Sequence, residues 1–151
     1  MAHSWEIQQH TAAPIDAVWA VLADARKWNE WGRFKVAKLE RLGTPLDDGV
    51  GAIRSFGNPP MLSREEVVVY DAPNHFAYIM LSGMPINGYR ADVFLTSDDP
   101  ANPTMGGTTI RWCSTFDSAR PAFAGGFFEW FLKAFLKDTA KRLANTAGAR
   151  S

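Results

Sequence analysis

The sequence predicts an α+β fold of the helix-grip type: a curved antiparallel sheet of about seven strands around a long C-terminal helix, with two short helices after the first strand. Three observations point there. Residues 121–147 form an aromatic-rich run at helical spacing, apolar over well more than half its circumference. Residues 34–117 break into six segments rich in Val, Ile, Phe and Tyr, divided by clusters of Gly, Pro, Asn and Asp. No helical pattern lies between those segments, which argues against βαβ units and a parallel sheet. A curved sheet cannot bury its concave face alone, and the last helix is the one element large and apolar enough to fill it.

In chain order, residues 3–11 alternate, with Trp5 and Ile7 set against polar neighbours, and read as a first strand. Pro14 opens a helix whose Ile15, Val18, Trp19 and Leu22 fall at i, i+3, i+4 and i+7. Residues 24–31 make a second short helical turn carrying Trp28 and Trp31, and Gly32 ends it. Strands are expected over 34–42, 50–56, 62–70, 75–82, 89–96 and 108–117, joined as one antiparallel meander. The 97–107 segment is the most loop-like and reads as a mobile hairpin tip. In the last helix, Pro121 suits the first position. Phe123, Phe127, Trp130, Phe131, Ala134 and Phe135 share one side, Phe128, Leu132 and Leu136 widen it, and Glu129, Lys133 and Lys137 form a narrow polar stripe. The first four turns are therefore expected to be wrapped by other structure, with the helix surfacing after Asp138, stopping at Gly148 and leaving 148–151 as a frayed tail.

The chain reads as one domain, 1–151, with a core of about 3–147. Its 16 basic and 16 acidic residues cancel, which gives no support to a nucleic-acid partner. The single Cys113 excludes an internal disulfide and a cysteine-rich zinc site. Residues 1–12 lack the continuous apolar core of a secretory signal, and no stretch is apolar enough to span a membrane, so a cytoplasmic protein without integral membrane contact is expected. Monomer and homodimer are both compatible with the sequence. The 6 Trp and 10 Phe are many for this length and imply a bulky core or an aromatic-lined pocket.

The element order and several motifs resemble the Bet v 1-like superfamily with its START-related (SRPBCC) domains, and in particular the polyketide cyclase/dehydrase branch. The matching residues are Ala13-Pro14-Ile15-Asp16-Ala17-Val18-Trp19-Ala20-Val21-Leu22-Ala23-Asp24 with Trp28 and Trp31. The strand Gly49-Val50-Gly51-Ala52-Ile53-Arg54 also matches, as do Glu65 and Glu66 before Val67 to Tyr70 and Asp71-Ala72-Pro73, and Gly107-Thr108-Thr109-Ile110-Arg111-Trp112 before the last helix. The resemblance covers about residues 5–147. It implies a cavity between the concave sheet face and the long helix that receives a hydrophobic ligand. It carries no universal catalytic motif and implies no cofactor, and the same scaffold hosts carriers, cyclases, dehydratases and interaction modules.

Beside that resemblance, the residues themselves offer a few candidates. Tyr89, Ala91, Val93 and Leu95 form an inward row, and Ile110, Trp112, Ser114 and Phe116 another, which brings Trp112 towards Phe127 or Phe131 of the helix. Both faces of 75–82 are apolar, so parity does not choose between Tyr78 and Met80 on one side and Ala77 and Ile79 on the other. Arg54 and Glu65 flank the turn at 57–60; a surface cross-strand ion pair is the default reading, and a buried pair orienting a ligand's polar head is the alternative. Trp28, Trp31 and Phe34 either rim a cavity mouth or close the open end of the sheet. Gly125 and Gly126 either let the helix start bend as a gate or allow close packing. His3, His10 and His75 have no metal-ligand spacing, His75 reading as part of a turn beside Asn74, and no nucleophile elbow or phosphate loop is present.

Together these give the expected function: binding of a small hydrophobic molecule, lipid- or polyketide-like, in a cavity lined by Trp31, Phe34, Tyr78, Met80, Tyr89, Trp112, Phe127, Trp130 and Phe131. The enzyme alternative is a cyclase or dehydratase using the same cavity, with Tyr78, Tyr89, Glu65 and Arg54 as candidate acid, base or orienting groups. A third class is a protein-interaction module acting through the long helix or a Trp28/Trp31 patch.

Overall fold

The computed structural model describes residues 2–150, so Met1 and Ser151 of the expected domain and tail lie outside it. β1 (His3–Thr11) leads into α1 (Ile15–Ala23), a 3-10 turn (Ala25–Lys27) and α2 (Trp28–Trp31). Then follow β2 (Val36–Arg41), β3 (Ile53–Asn58), β4 (Met61–Asp71), β5 (His75–Ser82), β6 (Ile86–Asn87), β7 (Arg90–Ser97), β8 (Thr108–Phe116) and β9 (Ser118–Ala119). A second 3-10 turn (Ala122–Ala124) enters α3 (Gly125–Arg150). Pro14 sits one residue ahead of α1 rather than inside it, where its missing N–H costs no helical bond.

Seven strands form one antiparallel sheet in the order β1-β8-β7-β5-β4-β3-β2. Because β1 closes against β8, the sheet brings the start of the chain beside its end, and α3 packs across the concave face against β1 and α1. A small two-stranded sheet, β6 with β9, ties the β5–β7 connection to the approach to α3, through pairs Ile86–Ala119 and Asn87–Ser118. Its two-residue strands are too short to show a period-2 pattern, so the sequence does not reveal them.

The inward rows are as the alternation requires: Tyr89, Ala91, Val93 and Leu95, and Ile110, Trp112, Ser114 and Phe116, are all buried. On β5 the buried side chains are Phe76, Ala77 and Tyr78, so neither parity is exposed at that end. His75 opens β5 rather than sitting in a turn, and its Nε2 lies 2.7 Å from Asp92 Oδ2.

The long helix reverses the expected burial. Leu132, Leu136, Thr139, Ala140, Leu143, Ala144 and Ala147 are buried, so its C-terminal half is the packed half. Its aromatic N-terminal half and the 3-10 turn before it face outward: Phe123 of that turn is 89% exposed, Phe127 58% and Trp130 67%. The reason is geometric. The C-terminal half lies against β1 and α1, where small residues at 140, 144 and 147 permit close approach. The helix start touches the sheet at its β1 edge, through Gly125 and Glu129 against His3, and from Phe131 to Thr139 an open space separates the helix from the β3–β4–β5 side. The helix also runs through Gly148 to Arg150, so that glycine is no stop and the tail to 150 is helical.

Gly125 and Gly126 prove to differ. A Cβ at Gly125 would collide with the His3 imidazole, which stacks on Phe116 with ring centroids 4.6 Å apart and lies 2.9 Å from Glu129 Oε1. Gly125 therefore lets the helix start seat on β1, while a Cβ at Gly126 would meet nothing within 4 Å.

Candidate ligand site

The space between α3 and the sheet is a cavity of about 290 Å³. Four segments build it. From α2 and the following loop come Trp28, Arg33 and Phe34; from the β3–β4 hairpin come Phe56 to Asn58, Met61 to Ser63, and Glu65. Strand β5 and the segment after it give Tyr78, Met80, Gly83, Met84 and Tyr89, and α3 gives Phe131, Leu132, Phe135, Leu136 and Thr139. The floor, with Trp28, Phe56, Tyr78, Tyr89, Leu132 and Leu136, is buried, whereas Arg33, Asn58, Met61 and Phe131 at the rim are exposed. The cavity thus opens past the hairpin tip and the N-terminal half of the helix. Gly57 shapes that edge: its φ of +149° is a glycine conformation, and a Cβ there would run into the Met61 carbonyl.

Its walls are aromatic because the elements around it are. Trp28 stacks on Phe56 with centroids 4.6 Å apart, Phe34 lies 5.3 Å from Phe56, and Phe34 meets Phe135 edge-on at 5.6 Å. Such pairs hold one another in fixed orientations, which keeps the wall in place without a ligand.

The polar groups gather at the floor. In the β3–β4 ladder Arg54 stands directly opposite Glu65. Both point inward, which corrects the surface-pair reading. Arg54 is 0% exposed, and its Nη2 donates to Glu65 Oε1 at 2.9 Å. The guanidinium lies 4.8–5.1 Å from the ring centroids of Trp28, Phe56, Phe76 and Tyr78, a desolvated aromatic cage. Its Nε and Nη1 have no hydrogen-bond partner. The inward turn follows from strand parity, since Arg54 shares a face with Phe56, and Glu65 with Val67. A charged residue in an apolar strand is read as outward by default, and that default fails here because four rings and a carboxylate replace water around the cation.

Glu65 lines the cavity while Arg54 lies behind it. Burial raises the Glu65 carboxyl above its ordinary range, against the charge and hydrogen bond of Arg54, which pull it down. Tyr78 is pushed well above the usual phenol range by burial first, then by neighbouring Tyr89 and Glu65. Burial raises Tyr89 likewise, against a 3.3 Å hydrogen bond with Ser114 Oγ. Both phenols therefore stay neutral near pH 7 and serve as hydrogen-bonding groups rather than bases. The Ser63 hydroxyl, two residues before Glu65 on β4, is buried without a partner.

Of the nine expected lining residues, Phe34, Tyr78, Met80, Tyr89 and Phe131 line the cavity. Trp31 is buried behind Trp28, with centroids 4.9 Å apart. Trp112 is core: it packs edge-on to Trp28 and Tyr78 at 6.3 and 6.5 Å, and does not reach the helix aromatics. Phe127 and Trp130 face outward for the reason given above. Of the candidate chemical groups, Glu65, Tyr78 and Tyr89 reach the cavity, and Arg54 acts through Glu65. Trp28, expected either to rim a cavity mouth or to close the open end of the sheet, lies at the cavity floor. Phe56, Phe135 and Leu136 escaped the sequence reading; the shared parity of Arg54 and Phe56, and the spacing of Leu132 and Leu136, were the signals that could have found them. Among the described residues no cluster of His, Cys, Asp and Glu could hold a metal ion, and no helix is long and apolar enough to cross a membrane.

A family model described as polyketide cyclase/dehydrase and lipid transport matches residues 2–148. Solved structures with a similar fold include norcoclaurine synthase from Thalictrum flavum in complex with dopamine and hydroxybenzaldehyde, at a TM-score of 0.73 and 16% identity over 96% of this chain and 86% of that one. A truncated form of the same synthase superposes at a TM-score of 0.72 with 16% identity, over 95% of this chain and 92% of that one. At that identity the likeness is one of fold. None of the curated proteins compared with the chain matches it.

Proposed function

The chain belongs to the polyketide cyclase/dehydrase and lipid transport family, and from that premise we propose that its cavity binds a small, largely apolar, ring-bearing molecule that offers one polar group to Glu65. Family membership and the fold support a ligand-binding or cyclase-type role. The observation that carries the finer reading is the cavity itself: about 290 Å³, walled by aromatic side chains, half-open, with one carboxyl at its floor. That volume lies near the lower end of ligand sites, roughly 300–1,000 Å³, and suits a molecule of one to a few rings. Apolar burial supplies the affinity, and Glu65, Ser63 and Tyr78 fix the orientation. The reading includes a cytoplasmic location and a chain that works as a monomer or homodimer.

Native mass spectrometry of the protein purified from its own host, followed by denaturing extraction, tests this. A co-purifying compound with fused or linked rings is the expected result. Extraction of only long-chain, ring-free lipids from the cavity would contradict the proposed ligand class.

A second reading, catalysis in the same cavity, is favoured by one specific feature: Glu65 is a buried carboxyl held near a fixed cation, with two neutral phenols beside it. In that reading Glu65 takes a proton from a substrate carbon next to a carbonyl, or returns one to oxygen, and Tyr78 donates a hydrogen bond to the oxygen on which charge develops. Glu65→Gln would then lower kcat about 10²–10⁴-fold on any identified substrate while sparing its binding. Unchanged turnover in that variant would remove Glu65 from the chemistry.

A further inference from the structure

Independently of what the cavity holds, we propose that the outward face of α3 and the rim beside it form a docking surface for an anionic lipid membrane. Three sets of residues carry this.

The first is the aromatic half-helix. Phe123, Phe127 and Trp130 are 89%, 58% and 67% exposed, and Phe131 is also exposed. Single exposed apolar residues are ordinary, but contiguous large aromatics on one helix face are not. Three of them are contiguous on the helix: Phe127 lies 6.2 Å from Trp130 and 6.3 Å from Phe131 between ring centroids, and Phe123 precedes them on the 3-10 turn.

The second is charge. Lys133, Lys137 and Lys141 follow Trp130 at i+3, i+7 and i+11, so they extend its stripe along the helix. All three are exposed, and none has an ionic partner among the described residues. The acids of α3 are both engaged: Glu129 lies 2.9 Å from His3 Nδ1, and Asp138 is paired with Arg142 at 2.7 Å and Arg33 at 2.9 Å. The face therefore presents bulky aromatics and free ammonium groups with no free carboxylate. That combination fits a headgroup layer carrying negative charge, into which aromatic rings insert while lysines stay at the phosphates. A protein partner or a second copy would need acidic groups opposite those lysines, and the two acids of α3 are already engaged within the chain.

The third is position. Phe131 belongs both to this face and to the cavity rim, and it stacks on Phe135 at 6.3 Å, which lines the interior. Met61, exposed at the β3–β4 hairpin tip, stands on the same rim. Docking through this face brings the cavity mouth to the membrane surface, so an apolar ligand would pass along a continuous aromatic wall without crossing water.

Sedimentation of the full chain with vesicles tests the proposal, using phosphatidylcholine alone and phosphatidylcholine mixed with phosphatidylserine. Binding to the mixed vesicles is expected, weakened by added salt. Each of Lys133→Ala, Lys137→Ala and Lys141→Ala should lower that binding about fivefold, and the Phe127→Ala/Trp130→Ala double variant should abolish it. Lys27→Ala, at an exposed site away from this face, should leave it unchanged. Melting temperatures of all variants serve as folding controls, since the altered side chains are exposed. Absence of binding to mixed vesicles would overturn the proposal, as would binding indifferent to the lysines and Trp130. A stable dimer in sedimentation velocity that Trp130→Ala dissociates would also overturn it, in favour of a second copy covering the face. Uptake of a neutral fluorescent probe by the cavity should persist in Phe127→Ala/Trp130→Ala, which separates failure of docking from failure of the ligand-binding reading.

Discussion

Replacing Arg54 with methionine should destabilise the protein by about 3–5 kcal/mol near neutral pH, because it strands a buried carboxylate. Arg54 is fully buried, makes one hydrogen bond at 2.9 Å to Glu65, and sits within 4.8–5.1 Å of four ring centroids. Nothing else cationic is hydrogen-bonded to Glu65 among the described residues. For a chain of this size the loss corresponds to a fall in Tm of about 6–20 °C. The pH dependence follows from Glu65, whose folded pKa lies above its ordinary 4.5. A raised carboxyl contributes stability that is complete below the unfolded pKa and is lost as pH rises through the folded one. Removing Arg54 raises Glu65 further, so the deficit of Arg54→Met should shrink towards about pH 5 and grow towards about pH 7.5. Glu65→Leu behaves differently. It leaves a guanidinium that cannot shed its proton, so it should be strongly destabilised at both pH values, without that slope. The double variant Arg54→Met/Glu65→Leu should recover most of the loss, since apolar replacement of a buried pair is often neutral. Urea denaturation followed by tryptophan fluorescence reads all three. A deficit under about 1 kcal/mol, insensitive to pH, is what a solvated pair would give and would refute the reasoning.

The reversed burial of α3 has a direct signature: Leu143→Ala should cost about 2–5 kcal/mol, whereas Trp130→Ala should change stability by no more than about 0.5 kcal/mol, both read by urea denaturation. The two glycines at the helix start should separate in thermal melts. Gly126→Ala, with open space for its methyl group, should stabilise by about 0.4–1 kcal/mol, and Gly125→Ala should destabilise by pushing His3 off the helix start.

The alternation on β7 and β8 was legible because each strand has one wet face, and period 2 then marks the other. So was the long helix, whose length and spacing leave no strand alternative. Its orientation was not. An aromatic-rich helical half reads as core when burial is the only use for aromatics, and nothing local signals that a cavity and an open surface lie where core was expected. Small residues marked the packed half instead: Ala140, Ala144 and Ala147 weigh little in a hydrophobic pattern yet sit against β1 and α1. Arg54 and Glu65 show a related limit. Their register was available from the hairpin, but their inward direction depends on Trp28, Phe76 and Tyr78, which are distant in sequence and assemble only in the fold. Trp112 was placed on the right face, and its partners were missed because Trp28 reaches it first.

The central claim is that the space between α3 and the sheet is a ligand site, and Leu136→Trp tests it most directly. Leu136 is buried on the helix face that closes the cavity, so the indole would occupy the space a ligand needs. Titration of the wild-type chain with the neutral fluorophore N-phenyl-1-naphthylamine should give saturable binding at one site per chain. The Leu136→Trp variant, folded by its cooperative melt, should lose that binding. Saturable binding that survives unchanged in Leu136→Trp, or no saturable binding by the wild type, would contradict the account.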